Sequence, residues 1–342
     1  MRRSLPGARQ PGHLRDALLT RTPAVGNTEA RENPLTGTLV LLATHRRGLG
    51  PPPPTAPGLP DVPQEQCPFC PGHESETEET LLQAPVEGPW SVRVVDNRYP
   101  LATSSSPGLR GAHELIVETR AHTLDLPDFS VEHTTQLLGV IAARLDALAA
   151  RSGIAAVIAF RNRGRRSGSS QPHAHSQIVA LDRVPNGIAI RDERARAHFE
   201  RTDGALLDAV LRDELEDGAR IVRDARGVVT LCPYASLHPH ETWLVPRTRA
   251  THLGALGRDA LSGLADALVD ATRRLRTAGV ASDYNVLVHE PPVASRGSAW
   301  GAMYLEIAPR TTTQAGLELA SGATVLTLAP EVAARALRDV GG

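Results

Sequence analysis

The chain has no lysine, only three cysteines and no long apolar run. Arginine therefore makes up the whole lysine-plus-arginine count of 37, against 38 acidic residues and a formal net charge of -1. So weak a global field does not argue for nucleic acid. The lysine-free composition reads as the mark of a GC-rich genome rather than of a function. Three cysteines are too few for a disulfide scaffold, so a reducing, cytoplasmic setting is expected. No apolar stretch approaches the roughly 20 residues of a membrane span, and the N-terminus has no hydrophobic signal core. At 342 residues the chain is long enough for about two domains and a large core.

What is present is concentrated in one stretch. Apolar runs at 154–160 and 178–181 read as strands. Between them Gly164, Ser167, Gly168, Ser169 and Ser170 form a small-residue turn whose successive N–H groups can hold an anion. His173 and His175 follow, then Gln177. Residues two apart on an extended backbone share a face, so both imidazoles and the amide are expected to line one wall. A His-x-His pair alone reads as a solvated pair or a metal site. The loop before it and the amide after it turn the reading towards catalysis. Neutral imidazole attacks phosphorus well when an acceptor holds its other nitrogen. An amide can hold a phosphoryl oxygen as charge builds there.

Asn162, Gly164 and the run Ser170-Gln171-Pro172-His173-Ala174-His175-Ser176-Gln177 resemble the active-site segment of the galactose-1-phosphate uridylyltransferase family. That family is a branch of the histidine-triad superfamily, with ADP-glucose and diadenosine-tetraphosphate phosphorylases among its relatives. The resemblance implies that His175 is the nucleophile, that Gln177 and Ser170 hold non-bridging oxygens, and that Asn162 and Gly164 bind substrate. It places Arg46, in Thr44-His45-Arg46-Arg47, on the nucleotide phosphates, although Leu49 stands where a further arginine is expected. Asn97, in Asp96-Asn97-Arg98-Tyr99-Pro100, takes the position that meets base and ribose. Cys232-Pro233-Tyr234-Ala235-Ser236 resembles the segment near the sugar pocket, and Glu318 occupies the place of a sugar-contacting glutamate. Read without the family, Glu318 is equally a solvated carboxylate. Cys67-Pro68-Phe69-Cys70, read alone, is half a zinc site, a redox pair or neither. The resemblance implies a structural Zn²⁺ on Cys67, Cys70, His122 and His173, with His73 and His113 as rival ligands.

The expected fold is α+β, a duplicated histidine-triad-like unit of antiparallel sheet with crossover helices. Residues 1–28 read as a flexible extension or an arm across a partner subunit, and the proline-rich stretch 51–63 as a surface loop. Residues 29–190 are expected to form the unit with the zinc and the catalytic histidine, and 191–342 the second unit. Helical spacing predicts crossover helices over 131–150 and 261–275. In the second copy Met303 and Leu305 are read in the places of the histidine pair, so only the first copy is expected to do chemistry. For the same reason no second, iron-type site is expected, although His289 matches one of its ligands. The other His-x-His pair, His238 and His240, has no small-residue loop before it.

The resemblance implies transfer of UMP between UDP-glucose and galactose 1-phosphate, in ping-pong fashion through a uridylyl-His175. Its partners would be a nucleoside diphosphate sugar, a sugar 1-phosphate and a second copy of the chain in a homodimer, with no nucleic acid and no membrane. Adenylyl transfer from ADP-glucose to phosphate, hydrolysis, and zinc-stabilised nucleotide binding without turnover stay open as alternatives.

Overall fold

The computed structural model describes residues 26–46, 62–280 and 282–341. Residues 1–25, Leu49 and positions 51–61 lie outside the described residues. The chain enters through an antiparallel pair, β1 (Glu29–Glu32) and β2 (Leu39–Leu42). Asn33 closes their turn, its Oδ1 accepting from the N–H groups of Leu35 and Thr36. The first copy then runs β3 (Thr80–Ala84), β4 (Val92–Asp96), β5 (Gly111–Val117), α1 (Val131–Ala149), β6 (Ala156–Arg163) and β7 (His175–Leu181). Helices α2 (Asn186–Thr202) and α3 (Leu206–Asp217) link it to the second copy. That copy is β8 (Ile221–Ala225), β9 (Val228–Leu231), β10 (Thr242–Pro246), α4 (Arg258–Thr277), β11 (Tyr284–His289) and β12 (Tyr304–Pro309). The chain ends in α5 (Gly316–Ser321), β13 (Thr324–Leu326), which lies parallel to β2, and α6 (Pro330–Asp339).

Among the described residues the two copies share one ten-stranded sheet, in the order β3-β4-β5-β7-β6-β11-β12-β10-β9-β8. Read from either end, the order is three strands in sequence followed by a swapped pair, which is the signature of a duplicated unit meeting its copy at β6 and β11. The seam is antiparallel, with Asn162 opposite Asn285 and Phe160 opposite Leu287. The expected α+β duplication is the architecture of this chain.

One face of the sheet is covered by α1 and α4. Ser130 caps α1 by accepting from the His133 N–H at 3.1 Å, and Leu137, Leu138, Ile141, Leu145 and Leu148 turn one stripe of that helix into the core. The other face differs between the copies. Over the second copy, Leu206, Leu207 and Leu211 of α3 pack on Val229, Leu231, Trp243, Val245 and Tyr304. Over the first lies the Cys-x-x-Cys loop, with Cys67, Phe69, Cys70 and Trp90 against Val117. That difference leaves room for a site beside β5 and β7.

The register corrects one reading of the repeat. Gln177 sits opposite Leu115 and Phe160, as Glu306 sits opposite Trp243 and Leu287. Met303, Leu305 and Ile307 face the helix-covered core with Ala174 and Ile178, whereas Tyr304 faces α3. The residues in the places of His173 and His175 are therefore Ala302 and Tyr304, not Met303 and Leu305. A slip of one residue changes the face of every side chain on a strand. The second copy still has no histidine pair there.

Among the described residues no helix is long and apolar enough to cross a membrane.

Candidate active site

His175 opens β7 and is 5% exposed. Its Nδ1 lies 2.8 Å from the carbonyl oxygen of His173, an acceptor, so Nδ1 carries the proton and Nε2 keeps a lone pair. Burial, the largest cause, lowers its pKa and favours the neutral ring. The Phe69 ring packs against it, with centroids 5.6 Å apart.

His173 lies in the bend before β7 rather than on the strand, so its ring turns to the cysteines instead of sharing one wall with His175. His173 Nε2–H donates to the Thr119 carbonyl at 2.8 Å, leaving Nδ1 facing Cys67 Sγ at 3.5 Å and Cys70 Sγ at 3.6 Å. His122 repeats this geometry: Nε2–H donates to the Val62 carbonyl at 2.8 Å, and Nδ1 is 3.3 Å from Cys70 Sγ. Burial pushes the Cys70 thiol up to about 12 and holds His173 down at about 4, so a cation is what would draw out the thiolate. The four ligand atoms lie within 4.8 Å of one another and could hold a metal ion. Both imidazoles offer Nδ1 while a backbone carbonyl fixes the other nitrogen, as metal-binding histidines require. The rival histidines are engaged elsewhere. His73 Nδ1 contacts the Cys67 carbonyl at 2.7 Å, and His113 faces Gln177.

Gln177, two residues along β7 from His175, has its Oε1 2.9 Å from His113 Nε2. Asn97 is drawn in by a backbone bond to the His113 carbonyl at 2.8 Å, and its Nδ2 is 3.3 Å from His113 Nε2. Asn162 lies two residues beyond Phe160, the partner of Gln177, and so projects from the His175 face. Gly164 has φ +81°, and a Cβ there would collide with the Asp283 carboxylate. That carboxylate also accepts from the Arg166 N–H at 2.8 Å, tying the small-residue loop to the second copy.

The structure thus gathers His175, Gln177, Asn97 and Asn162, with the Cys67, Cys70, His122 and His173 cluster beside them. Ser170 is exposed at the end of its loop. Arg46 is exposed in a short turn that follows β2, in the separate three-stranded sheet. Glu318 accepts from the Ala315 N–H at 3.1 Å and caps its own helix. None of these three is hydrogen-bonded to His175 or Gln177. Away from the site, His240 adopts a left-handed backbone with φ 59°, and the Glu241 carboxylate accepts from the His238 N–H at 3.1 Å. His289 hydrogen-bonds Glu306 at 2.7 Å and stacks on Tyr304.

Sequence reasoning missed Glu118, which is fully buried beneath the site. Its carboxylate accepts from Arg161 Nε at 2.9 and 3.0 Å and from Ser176 Oγ at 2.5 Å. Its N–H donates to the Ala174 carbonyl at 3.1 Å, and its own carbonyl receives His133 Nε2 at 2.8 Å. Residues on both sides of His175 are thereby anchored to one segment. The available signal was charge inside apolar runs, Glu118 after 115–117 and Arg161 after 154–160, since unpaired charges are not buried.

With this geometry in hand, comparison with known proteins gives a consistent answer. Residues 63–184 match the family model described as the N-terminal domain of DUF4931, a domain of unknown function. ADP-glucose phosphorylase from Arabidopsis thaliana is 25% identical over 334 residues, covering 91% of this chain and 93% of that protein. Galactose-1-phosphate uridylyltransferase from Thermotoga maritima is 24% identical over 334 residues, covering 91% and 98%. The chain is similar to the galactose-1-phosphate uridylyltransferases and to their ADP-glucose phosphorylase relatives. A crystal structure of an Arabidopsis thaliana ADP-glucose phosphorylase with bound ADP-glucose has the same fold, with a TM-score of 0.80 at 24% identity over 92% of this chain and 99% of that one. These likenesses support an enzyme of the nucleotidyl-transfer type.

Proposed function

We propose that this protein transfers the nucleotidyl group of a nucleoside diphosphate glucose through a covalent nucleotidyl-His175, with ADP-glucose as donor and inorganic phosphate as acceptor. The observation that carries the reading is the His175 Nδ1–H bond to the His173 carbonyl, which leaves Nε2 as a neutral nucleophile. Nε2 attacks the α-phosphorus in line, the N–P bond forms, and the bond to the bridging oxygen breaks. Glucose 1-phosphate departs as an already stable anion, so no acid is needed to protonate it. The positive charge on the substituted ring is held by the His173 carbonyl. Gln177 and Asn162 hold the non-bridging oxygens, and Asn97 meets the nucleoside. A phosphate oxygen then attacks the same phosphorus, breaks the N–P bond, releases ADP and returns neutral His175.

A Zn²⁺ ion fits Cys67, Cys70, His122 and His173, because two thiolates and two imidazoles make a closed tetrahedral set. When bound it supplies a rigid mount for the bend at His173. Ser170, Arg46 and Glu318 are proposed to reach substrate from outside this core, Ser170 on a phosphoryl oxygen, Arg46 on phosphate and Glu318 on the sugar.

A second reading, uridylyl transfer from UDP-glucose to galactose 1-phosphate, draws support from the Thermotoga relative. The test is incubation with α-³²P-labelled ADP-glucose and UDP-glucose separately, alkaline denaturation, and then addition of each acceptor to the isolated adduct. Label retained from ADP-glucose and released as ADP by phosphate is the expected result. Label retained only from UDP-glucose and released as UDP-galactose moves the protein to the second reading. No retained label from either donor would sink covalent transfer.

A further inference from the structure

We propose that His113 and Asn285 are positioning residues that set which end of the Gln177 and Asn162 amides faces the phosphoryl group at His175. The inference rests on the nucleotidyl-transfer reading above.

An amide side chain has a donor end and an acceptor end of nearly equal shape. Towards a phosphoryl oxygen only the donor end is attractive, and a reversed amide would repel the charge it should hold. Something must therefore decide the orientation before substrate arrives. At Gln177 the decision comes from the Leu101 backbone. Its N–H lies 3.2 Å from His113 Nδ1 and can only donate, so Nδ1 holds the lone pair and the proton of the neutral ring sits on Nε2. Burial lowers the His113 pKa and favours that neutral ring. Nε2–H then donates to Gln177 at 2.9 Å, which requires the oxygen end there and leaves the NH2 end for the site. Asn97 Nδ2, 3.3 Å from the same nitrogen, meets no lone pair, while its Oδ1 accepts from the Tyr99 N–H at 2.9 Å. A third amide is thus also left with its donor end unclaimed by His113.

At Asn162 the decision comes from the Ser167 carbonyl, which can only accept. Asn285 Nδ2 donates to it at 3.0 Å, fixing the nitrogen end of Asn285. The same Nδ2 donates to Asn162 Oδ1 at 2.8 Å, so the oxygen end of Asn162 is taken and its Nδ2 remains. Asn285 faces Asn162 directly across the seam between β6 and β11. In both relays a backbone group of fixed polarity sets an intermediary, and the intermediary sets the amide at the site.

The test is the single-turnover rate of adduct formation from whichever labelled donor the wild type uses, with donor Kd measured separately. His113→Ala is expected to slow the step about 10- to 100-fold with donor Kd little changed. In a Gln177→Ala background it should cause no further loss, because the residue it orients is gone. Asn285→Asp keeps the shape but cannot donate to Ser167 or Asn162, and should slow the step at least as much as Asn162→Ala. His113→Gln, which can present either end, is expected to fall between wild type and His113→Ala, and it serves if His113→Ala fails to fold. Losses that simply multiply in the His113→Ala, Gln177→Ala double variant, or rates that follow melting temperature alone, would overturn the inference while leaving His175 chemistry standing. No adduct in the wild type would overturn both.

Discussion

His175→Gly is expected to form no nucleotidyl adduct and to lose about 10⁴-fold or more in turnover, because the variant removes the atom that makes the new bond rather than one that stabilises it. The neighbouring groups cannot substitute. His173 has Nε2–H committed to Thr119 and Nδ1 turned to the two thiols, and His113 Nε2–H is committed to Gln177. The fold should survive, since β7 keeps its pairing with β5 and β6 and the cluster at Cys67 contains no atom of His175. Rapid quench with labelled donor, alongside metal content and a thermal melt, separates lost chemistry from lost structure. A wild-type level of adduct in a well-folded glycine variant would place the nucleophile elsewhere.

The second large effect concerns the four-residue cluster. Purified protein should carry about one zinc per chain, and stripping it, or replacing Cys70 with serine, should lower the melting temperature by on the order of 10 °C. Activity should fall with it, by about 100-fold. The cluster joins three segments distant in sequence, around Cys67 and Cys70, His122 and His173. It also contains the residue whose carbonyl accepts from His175 Nδ1–H. Three of its four members are buried, Cys67 and His173 at 0% exposure and Cys70 at 1%, so an unbound set would leave buried polar groups apposed. Elemental analysis, melting before and after chelation, and readdition of Zn²⁺ check this. Full activity and an unchanged melt in metal-free protein would make the cluster dispensable.

Much of this was readable from the sequence because it depends on local pattern. The strand Gly111–Val117 and the helix beginning at Val131 follow from periodicities of two and 3.6. The cluster ligands followed from a family likeness, and the structure does bring those four together. The chain resisted reading where partners are distant. Helix α2 is rich in Arg, Asp and Glu and buries little besides His198, so its apolar stripe is faint. His113 was noticed only as a possible ligand, because its role depends on β5 pairing with β7 and on the loop at Leu101 folding back. The misplacement of Met303 and Leu305 arose from matching two loops of unequal length, where only the register fixes the face.

The seam at β6 and β11 carries a consequence for the copy that has no histidine pair. Cut away after residue 190, the first copy would keep His175 yet present the four residues of β6 that pair with β11, Phe160 to Arg163, as a bare sheet edge. Rows of unsatisfied N–H and C=O groups invite pairing with any available strand, including the same strand of another molecule. Asn285 and Asp283, which hold Asn162 and the loop at Gly164, would be lost in the same cut. The second half therefore acts as a permanent strand partner that came into the chain by duplication. It carries no histidine pair in the corresponding places, yet it supplies the strand that β6 needs at its edge.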